Sequence, residues 1–160
     1  MEPTSAPSQT IWLDADACPV RVKEVLYRVA ERRKVRLVLV ANAPMRVPVS
    51  EHVSFELAPQ GEDAADNLIA ERCGRDDLVI TSDVPLAARI VALGATGMSP
   101  RGEFFTEENT GERLAVRDVV NELRSAGAFE GGPSSHRSSD TERFTNALDR
   151  YLTWSGKNGG

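Results

Sequence analysis

At 160 residues, 41% hydrophobic and 27% charged, the chain has the profile of an ordinary soluble globular protein, one domain burying roughly 70% of its unfolded-chain surface. A net charge of −5 excludes a global positive field that would draw in nucleic acid, so such a contact needs a local basic face. Two cysteines, Cys18 and Cys73, make no disulfide framework and suit a reducing, cytoplasmic setting, and no apolar run approaches the ~20 residues of a membrane span.

Residues 1–9 are rich in Pro, Ser and Thr and predict a disordered tail lacking the apolar core of a signal peptide. Residues 11–13 predict a short buried strand. Pro19 suits the first turn of the helix that follows, in which Val22, Val25, Leu26 and Val29 recur at helical spacing. Residues 36–41 contain the continuous apolar run of a strand covered on both faces, and residues 53–57 a weaker, alternating strand. A helix is expected over 61–73 with Gly74 as its stop, then a strand over 78–80, a helix over 85–93 and a short strand over 95–98. Residues 99–111 predict a long loop, more often functional than idle at that length. A helix over 112–125 carries Val116, Val119, Val120 and Leu123 as its apolar face. Residues 128–139 predict a flexible linker, 140–154 a last helix that Asp140 can cap and that packs on the domain, and 155–160 a disordered tail. Alternating strands and helices predict an α/β fold, a three-layer α/β/α sandwich around a mainly parallel sheet, over residues 10–127.

The most informative stretch is Asp14-Ala15-Asp16-Ala17-Cys18-Pro19, where the first strand stops and a helix begins. Ligands of open α/β sheets bind at the carboxyl ends of strands. Asp14 and Asp16, two apart, point to the same side of an extended strand. Asp63 and Asp66, three apart, share a helix face, and Asp83 in Thr81-Ser82-Asp83 ends another strand. Each cluster also has a plain explanation as a helix cap: Asp14 or Asp16 with Cys18 at the first helix, Asp63 with Asp66 at the second, Asp83 at the third. Their joint placement on one rim argues otherwise. Carboxylates gathered in one crevice repel by roughly 1–4 kcal/mol per close pair, which a bound cation would neutralise. Divalent metal and phosphate chemistry follow as the expectation. Cys18 reads as a small buried side chain, and Cys and His spacing fits no zinc site.

Asp14-Ala-Asp-Ala-Cys-Pro19, Val40-Ala-Asn42, Asp63-Ala-Ala-Asp-Asn-Leu-Ile69, Val79-Ile-Thr-Ser-Asp-Val-Pro-Leu-Ala87, Pro100-Arg-Gly102, Leu114-Ala-Val-Arg-Asp118 and the stretch from Phe144 to Arg150 together resemble the YaiI/YqxD family of uncharacterised bacterial proteins. The resemblance runs over residues 11–152. That family is regarded as PIN-like, related to metal-dependent ribonucleases. The resemblance implies a PIN-like α/β/α sandwich whose acids hold Mg²⁺ or Mn²⁺. Asp14 or Asp16 would be the ligand from the first strand, Asp66, alone or with Asp63, the ligand from a helix, and Asp83 the ligand from the fourth strand, with Ser82 beside it. Three or four acids suffice for Mg²⁺, which keeps several waters. The metal would activate water, orient a phosphodiester and offset charge on the leaving oxygen, and a second ion would lie roughly 3.5–4 Å from the first. The early-helix glutamate of PIN nucleases has no fixed counterpart among Glu24 and Glu31.

Arg21, Arg28 and Arg32 form one basic stripe and Arg113, Arg117, Asn121 and Arg124 another, the usual look of a solvated helix face. Arg117 falls in a family motif and suits either a phosphate or an ion pair with an acid of the cluster. Arg101 in the long loop and Asn42 after the second strand complete the expected substrate side. Aromatic residues are 6% of the chain, and no stacking platform is evident. The activity expected is metal-dependent phosphodiester hydrolysis on RNA or a related substrate, with Asp14, Asp16, Asp66 and Asp83 catalytic. A non-catalytic metal-, RNA- or nucleotide-binding module is the alternative. An aspartyl-phosphate phosphatase ranks below both, because Asp76-Asp77 precede their strand and lysines are few.

Overall fold

The computed structural model describes residues 9–16, 18–61, 63–127 and 136–158. Strands β1 (Thr10–Asp14), β2 (Arg36–Ala41), β3 (Val53–Leu57), β4 (Leu78–Ile80) and β5 (Thr96–Met98) alternate with helices α1 (Val20–Arg33), α2 (Ala64–Arg72) and α3 (Val84–Ala92), and α4 (Glu107–Ser125) and α5 (Ser138–Asn158) follow. The five strands form one sheet in the order β3-β2-β1-β4-β5. Every pairing is parallel, so the sheet is wholly rather than mainly parallel. The only antiparallel contact among the described residues is the isolated bridge between Met98 and Phe104.

Alternation along the strands sorts the core into two layers. Ile11, Leu13, Leu37, Leu39, Leu78 and Ile80 face Val22, Leu26 and Val29 of α1 and Phe144, Leu148 and Leu152 of α5. Trp12, Val38, Val40 and Val79 face Ile69 of α2 and Leu86 and Ile90 of α3. The fold is a three-layer α/β/α sandwich. Both faces being covered is why β2 and β4 are unbroken apolar runs. At the amino edge, Asp77 accepts hydrogen bonds from Thr10 N (3.0 Å), Trp12 Nε1 (3.0 Å) and Gly74 N (2.8 Å). It therefore ties β1 to the start of β4.

Helix boundaries depart from the sequence pattern where caps decide them. α2 begins at Ala64 rather than residue 61, after Asp63 in the left-handed region (φ 62°), and ends at Arg72 with Cys73 as its C-cap, one residue short of the expected end. α4 begins five residues earlier than expected, at Glu107. There Thr106 N donates to Asn109 Oδ1 and Asn109 N to Thr106 Oγ1, a reciprocal capping box. The loop is accordingly 99–106 instead of 99–111. The expected apolar face of α4 is not buried: Val116 and Val119 are 61% and 56% exposed, and Leu123 is exposed as well. α5 starts at Ser138, within the expected linker, and runs to Asn158, past the expected end at 154. Asp140 sits at its third position and accepts from Arg137 N (2.9 Å). The rest of that linker, 128–135, and tail residues 1–8, 159 and 160 lie outside the described residues. Gln9, assigned to the amino-terminal tail, donates from Nε2 to Tyr151 Oη (3.2 Å) and accepts from Ser155 Oγ (3.2 Å).

The 99–106 loop lies against α5 at Gly102, whose φ is +86°. A Cβ there would fall 2.7 Å from the Arg143 carbonyl oxygen. Gly102→Ala therefore combines a backbone conformation that L residues rarely adopt with a clash against main chain. Urea unfolding is expected to show a loss of about 1–3 kcal/mol.

Candidate functional site at the carboxyl edge of the sheet

The strand order reverses direction between β1 and β4, the place where open parallel sheets leave a crevice beyond their carboxyl ends. Asp14 ends β1 and is half-buried there. Thr81, buried just past β4, donates from Oγ1 to Asp14 Oδ2 (2.8 Å) and accepts from Asp83 N (2.9 Å). Asp83 accepts from Leu86 N through Oδ1 (2.9 Å) and caps α3. One buried hydroxyl thus sets the spacing of two carboxylates from neighbouring strands. The capping explanation holds for Asp83 only through that one oxygen.

It fails for the other acids. α1 has Pro19 at its cap and no side-chain cap hydrogen bond. Asp16 instead turns to β2, where Asn42 N (3.0 Å) and Asn42 Nδ2 (3.1 Å) donate to its Oδ2. Asp63 occupies the cap position of α2 in the left-handed region and makes no cap hydrogen bond either. Asn and Asp tolerate that conformation best among non-glycine residues, and here it serves no capping purpose. Asp66 lies in the first turn of α2. Asp14, Asp16, Asn42, Asp63, Asp66, Ser82, Asp83 and Arg117 all line one open crevice of about 470 Å³.

The electrostatics follow from this crowding. Burial, then the charges of Asp83, Asp14 and Asp63, push the Asp66 carboxyl up to about 6, against a smaller lowering by Arg89. Burial likewise raises Asp14, opposed by the Thr81 hydrogen bond and reinforced by Asp83 and Asp16. Arg89 itself donates to Asn67 Oδ1 (2.7 Å), beside Asp66. Arg117, from α4, is exposed at the opposite wall. It makes no side-chain hydrogen bond or ion pair with the described residues, in contrast with Arg113, which pairs with Glu103 (3.0 Å) and lies over the Phe105 ring.

The donor chemistry fits a hard cation such as Mg²⁺ or Mn²⁺: carboxylate oxygens at one rim, with their mutual repulsion left uncompensated. Among the described residues, no three His, Cys, Asp or Glu side chains come together as a finished metal cage. The fit is therefore to an ion held by one or two carboxylates that keeps water, the usual habit of Mg²⁺. An ion held there would need Asp66 ionised, so apparent cation affinity would rise as pH increases from about 5 to about 7 and then level off. Calorimetric titrations across that range check this.

Arg101 does not line the acid crevice. It lines an adjoining cavity with Arg113 and His136, which shares Ser82 and Val84 with the crevice. Glu24 and Glu31 are exposed on α1 and stand outside it; Glu31 accepts from Ser50 Oγ. Burial pushes the Cys18 thiol up to about 12, so it is a buried apolar group rather than a nucleophile. Asp76 and Asp77 stand at the amino edge of β4, away from the crevice, and no lysine lines it. The sequence pattern gave Thr81 no role of its own. Its signal is a hydroxyl directly after a three-residue apolar strand. Two aromatic residues stand at the surface, Phe104 and Trp154 at 38% and 63% exposed, and Phe104 stacks obliquely on Tyr151 with ring centroids 5.8 Å apart.

Fold and crevice together define a parallel α/β/α protein with an acidic pocket at its topological switch point. The chain belongs to the YaiI/YqxD family, described as uncharacterised, whose profile matches residues 12–154. It is 50% identical over 143 residues to a UPF0178 protein of Maridesulfovibrio salexigens, covering 89% of this chain and 95% of the relative. A UPF0178 protein of Trichlorobacter lovleyi is 49% identical over 144 residues, 90% and 94% of the two chains. One of Hydrogenovibrio crunogenus is 50% identical over 143 residues, 89% and 95%. No solved structure matches the chain. Among the described residues, no helix is long and apolar enough to cross a membrane.

Proposed function

We propose that the protein is a PIN-like, divalent-metal-dependent phosphodiesterase acting on RNA in the cytoplasm. The observation that carries this is the convergence of Asp14, Asp16, Asp63, Asp66 and Asp83 on one crevice at the switch point, with Arg117 on its wall. Asp66, with Asp14 or Asp83, would hold Mg²⁺ or Mn²⁺, since Asp83 keeps one oxygen clear of its cap and Asp14 one clear of Thr81. When bound, the cation supplies polarisation of a phosphoryl oxygen and a lowered pKa for attacking water. The chain's own residues do the rest. Arg117 offers a planar guanidinium to a phosphate. Thr81 and Asn42 hold Asp14 and Asp16 in place, and Ser82 lies at the rim as a hydroxyl donor.

The test is hydrolysis of a labelled single-stranded oligoribonucleotide by the full chain, with Mn²⁺ and with a chelator. Cleavage that needs Mn²⁺ and ceases in Asp66→Asn supports the reading. A second reading, a binding module without turnover, is favoured by one feature: no three ligands are pre-assembled among the described residues. Saturable cation binding with intact substrate would select it.

A further inference from the structure

The acid crevice is the first of four adjoining hollows. It shares Ser82 and Val84 with the Arg101–Arg113–His136 cavity. That cavity shares Arg101 and Glu103 with a third, on α5, which adds Arg143 and Arg150. The third shares Gly102, Ala147 and Arg150 with a fourth, bounded by Phe104, Tyr151 and Trp154. Hollows with shared lining residues therefore run in sequence from carboxylates, past arginines, to aromatic rings.

The arginine stretch is built rather than incidental. Asp140, 4% exposed, binds Arg143 directly and lies 3.9 Å from Arg101 Nε. One buried carboxylate thus orients two guanidiniums that remain solvent-accessible. Two guanidiniums share that one carboxylate, which leaves an excess of positive charge there, and Arg150, with no ion pair among the described residues, adds to it. Glu103 is the opposing charge in this stretch, and Arg113 pairs with it. The aromatic end is equally specific. Phe104 comes from the loop that Gly102 seats on α5, and Tyr151 and Trp154 are three apart on α5, hence on one face. Phe104 and Trp154, 38% and 63% exposed, thus offer ring faces beside positive charge, the pairing of surfaces that flat, anionic material fits.

We propose that Phe104, Tyr151 and Trp154, with Arg143 and Arg150 beside them, form a base-stacking platform for a single-stranded nucleic acid whose strand reaches the acid crevice through the Arg101 cavity. The inference rests on reading that crevice as a phosphodiester site. Single strands are held by combining backbone-tracking cations with rings on which bases stack. Stacking needs unpaired bases, so a duplex is excluded from the platform.

The experiment measures binding of a fluorescent oligouridylate of about 12 nucleotides to the full chain, in chelator to prevent turnover, for wild type, Trp154→Ala, Trp154→Phe and Arg150→Ala. Circular dichroism confirms that each is folded. Trp154→Ala is expected to weaken binding roughly ten- to hundredfold, the worth of a base stack. Trp154→Phe should restore most of the affinity while abolishing the quenching of intrinsic fluorescence by the oligonucleotide. Arg150→Ala should reduce the salt dependence of log K by about 0.7 per lost phosphate contact. The matching duplex should bind far more weakly. Unchanged affinity in Trp154→Ala, equal affinity for duplex, or no binding at all overturns the platform, whatever the crevice does. If Trp154-dependent binding holds but Mn²⁺ yields no cleavage and no saturable binding, the crevice reading fails and the platform stands. A platform that prefers an acidic peptide over the oligonucleotide in competition also overturns the proposal.

Discussion

Asp66→Asn should lower Mn²⁺-dependent RNA hydrolysis by roughly a hundredfold or more, several kcal/mol of transition-state stabilisation, while raising the melting temperature of the cation-free protein at neutral pH. The second effect distinguishes a site residue from a structural one. The folded-state pKa of Asp66, about 6, lies above the ordinary carboxyl value of 3.8. The native state then binds more protons than the unfolded chain between those values, so stability falls as pH rises through them. The benefit is complete below about 3.8 and gone above about 6. Asn carries no charge to be desolvated or repelled by Asp83, Asp14 and Asp63, and it stays compatible with the helix start. The loss of an acid from the first turn of α2 works in the opposite direction, by about 0.3–1 kcal/mol at most. Burial and repulsion outweigh it, since the net shift is upward. Thermal melts at about pH 5 and pH 7.5 check this: the variant gains most at the higher pH and roughly half as much at the lower, which lies inside the titration window. A variant that melts lower at both pH values would make Asp66 a structural residue.

Phe144→Ala is expected to destabilise the protein by about 3–5 kcal/mol, shifting the melting temperature by roughly 6–20 °C. Phe144 is fully buried and belongs to the same cluster as Leu13, Leu26 and Leu39. It carries α5 onto the sheet beside α1. The alanine would leave a cavity between helix and sheet, and the Arg101 loop would loosen with it, because Gly102 lies against the backbone of Arg143 and Phe144. Denaturant unfolding measures the loss. A cost below about 1 kcal/mol would mean that α5 is dispensable to the core.

What the sequence made legible follows its physical signals. β2 and β4 have the bounds their apolar runs imply, because burial on both faces leaves no polar residue past Arg36 in the one and none in the other, and β3 has the bounds of its weaker alternation, with Ser54 exposed. The acids were legible because they stand where strands end. The start of α4 was not, since its capping box uses Asn109 where Glu or Gln is usual, and Gly111 inside the helix looks like a stop. The apolar stripe of α4 shows that periodicity marks a face without saying what covers it: Val116, Val119 and Leu123 repeat at helical spacing and are exposed. Arg101 was placed with the crevice because its loop is long, yet Asp140 draws it to the next hollow. The aromatic cluster could not be found from composition. Phe104 and Trp154 are 50 residues apart and line one hollow where Gly102 lets the loop approach α5.

The account stands most directly on cation binding. Calorimetric titration of Mn²⁺ into wild type and into Asp66→Asn/Asp83→Asn at about pH 7.5 decides it. Asn at position 83 keeps the cap of α3, so the double variant stays folded. The account predicts saturable binding to wild type that the variant loses. Absence of binding to folded wild type, or equal binding to both, would contradict it.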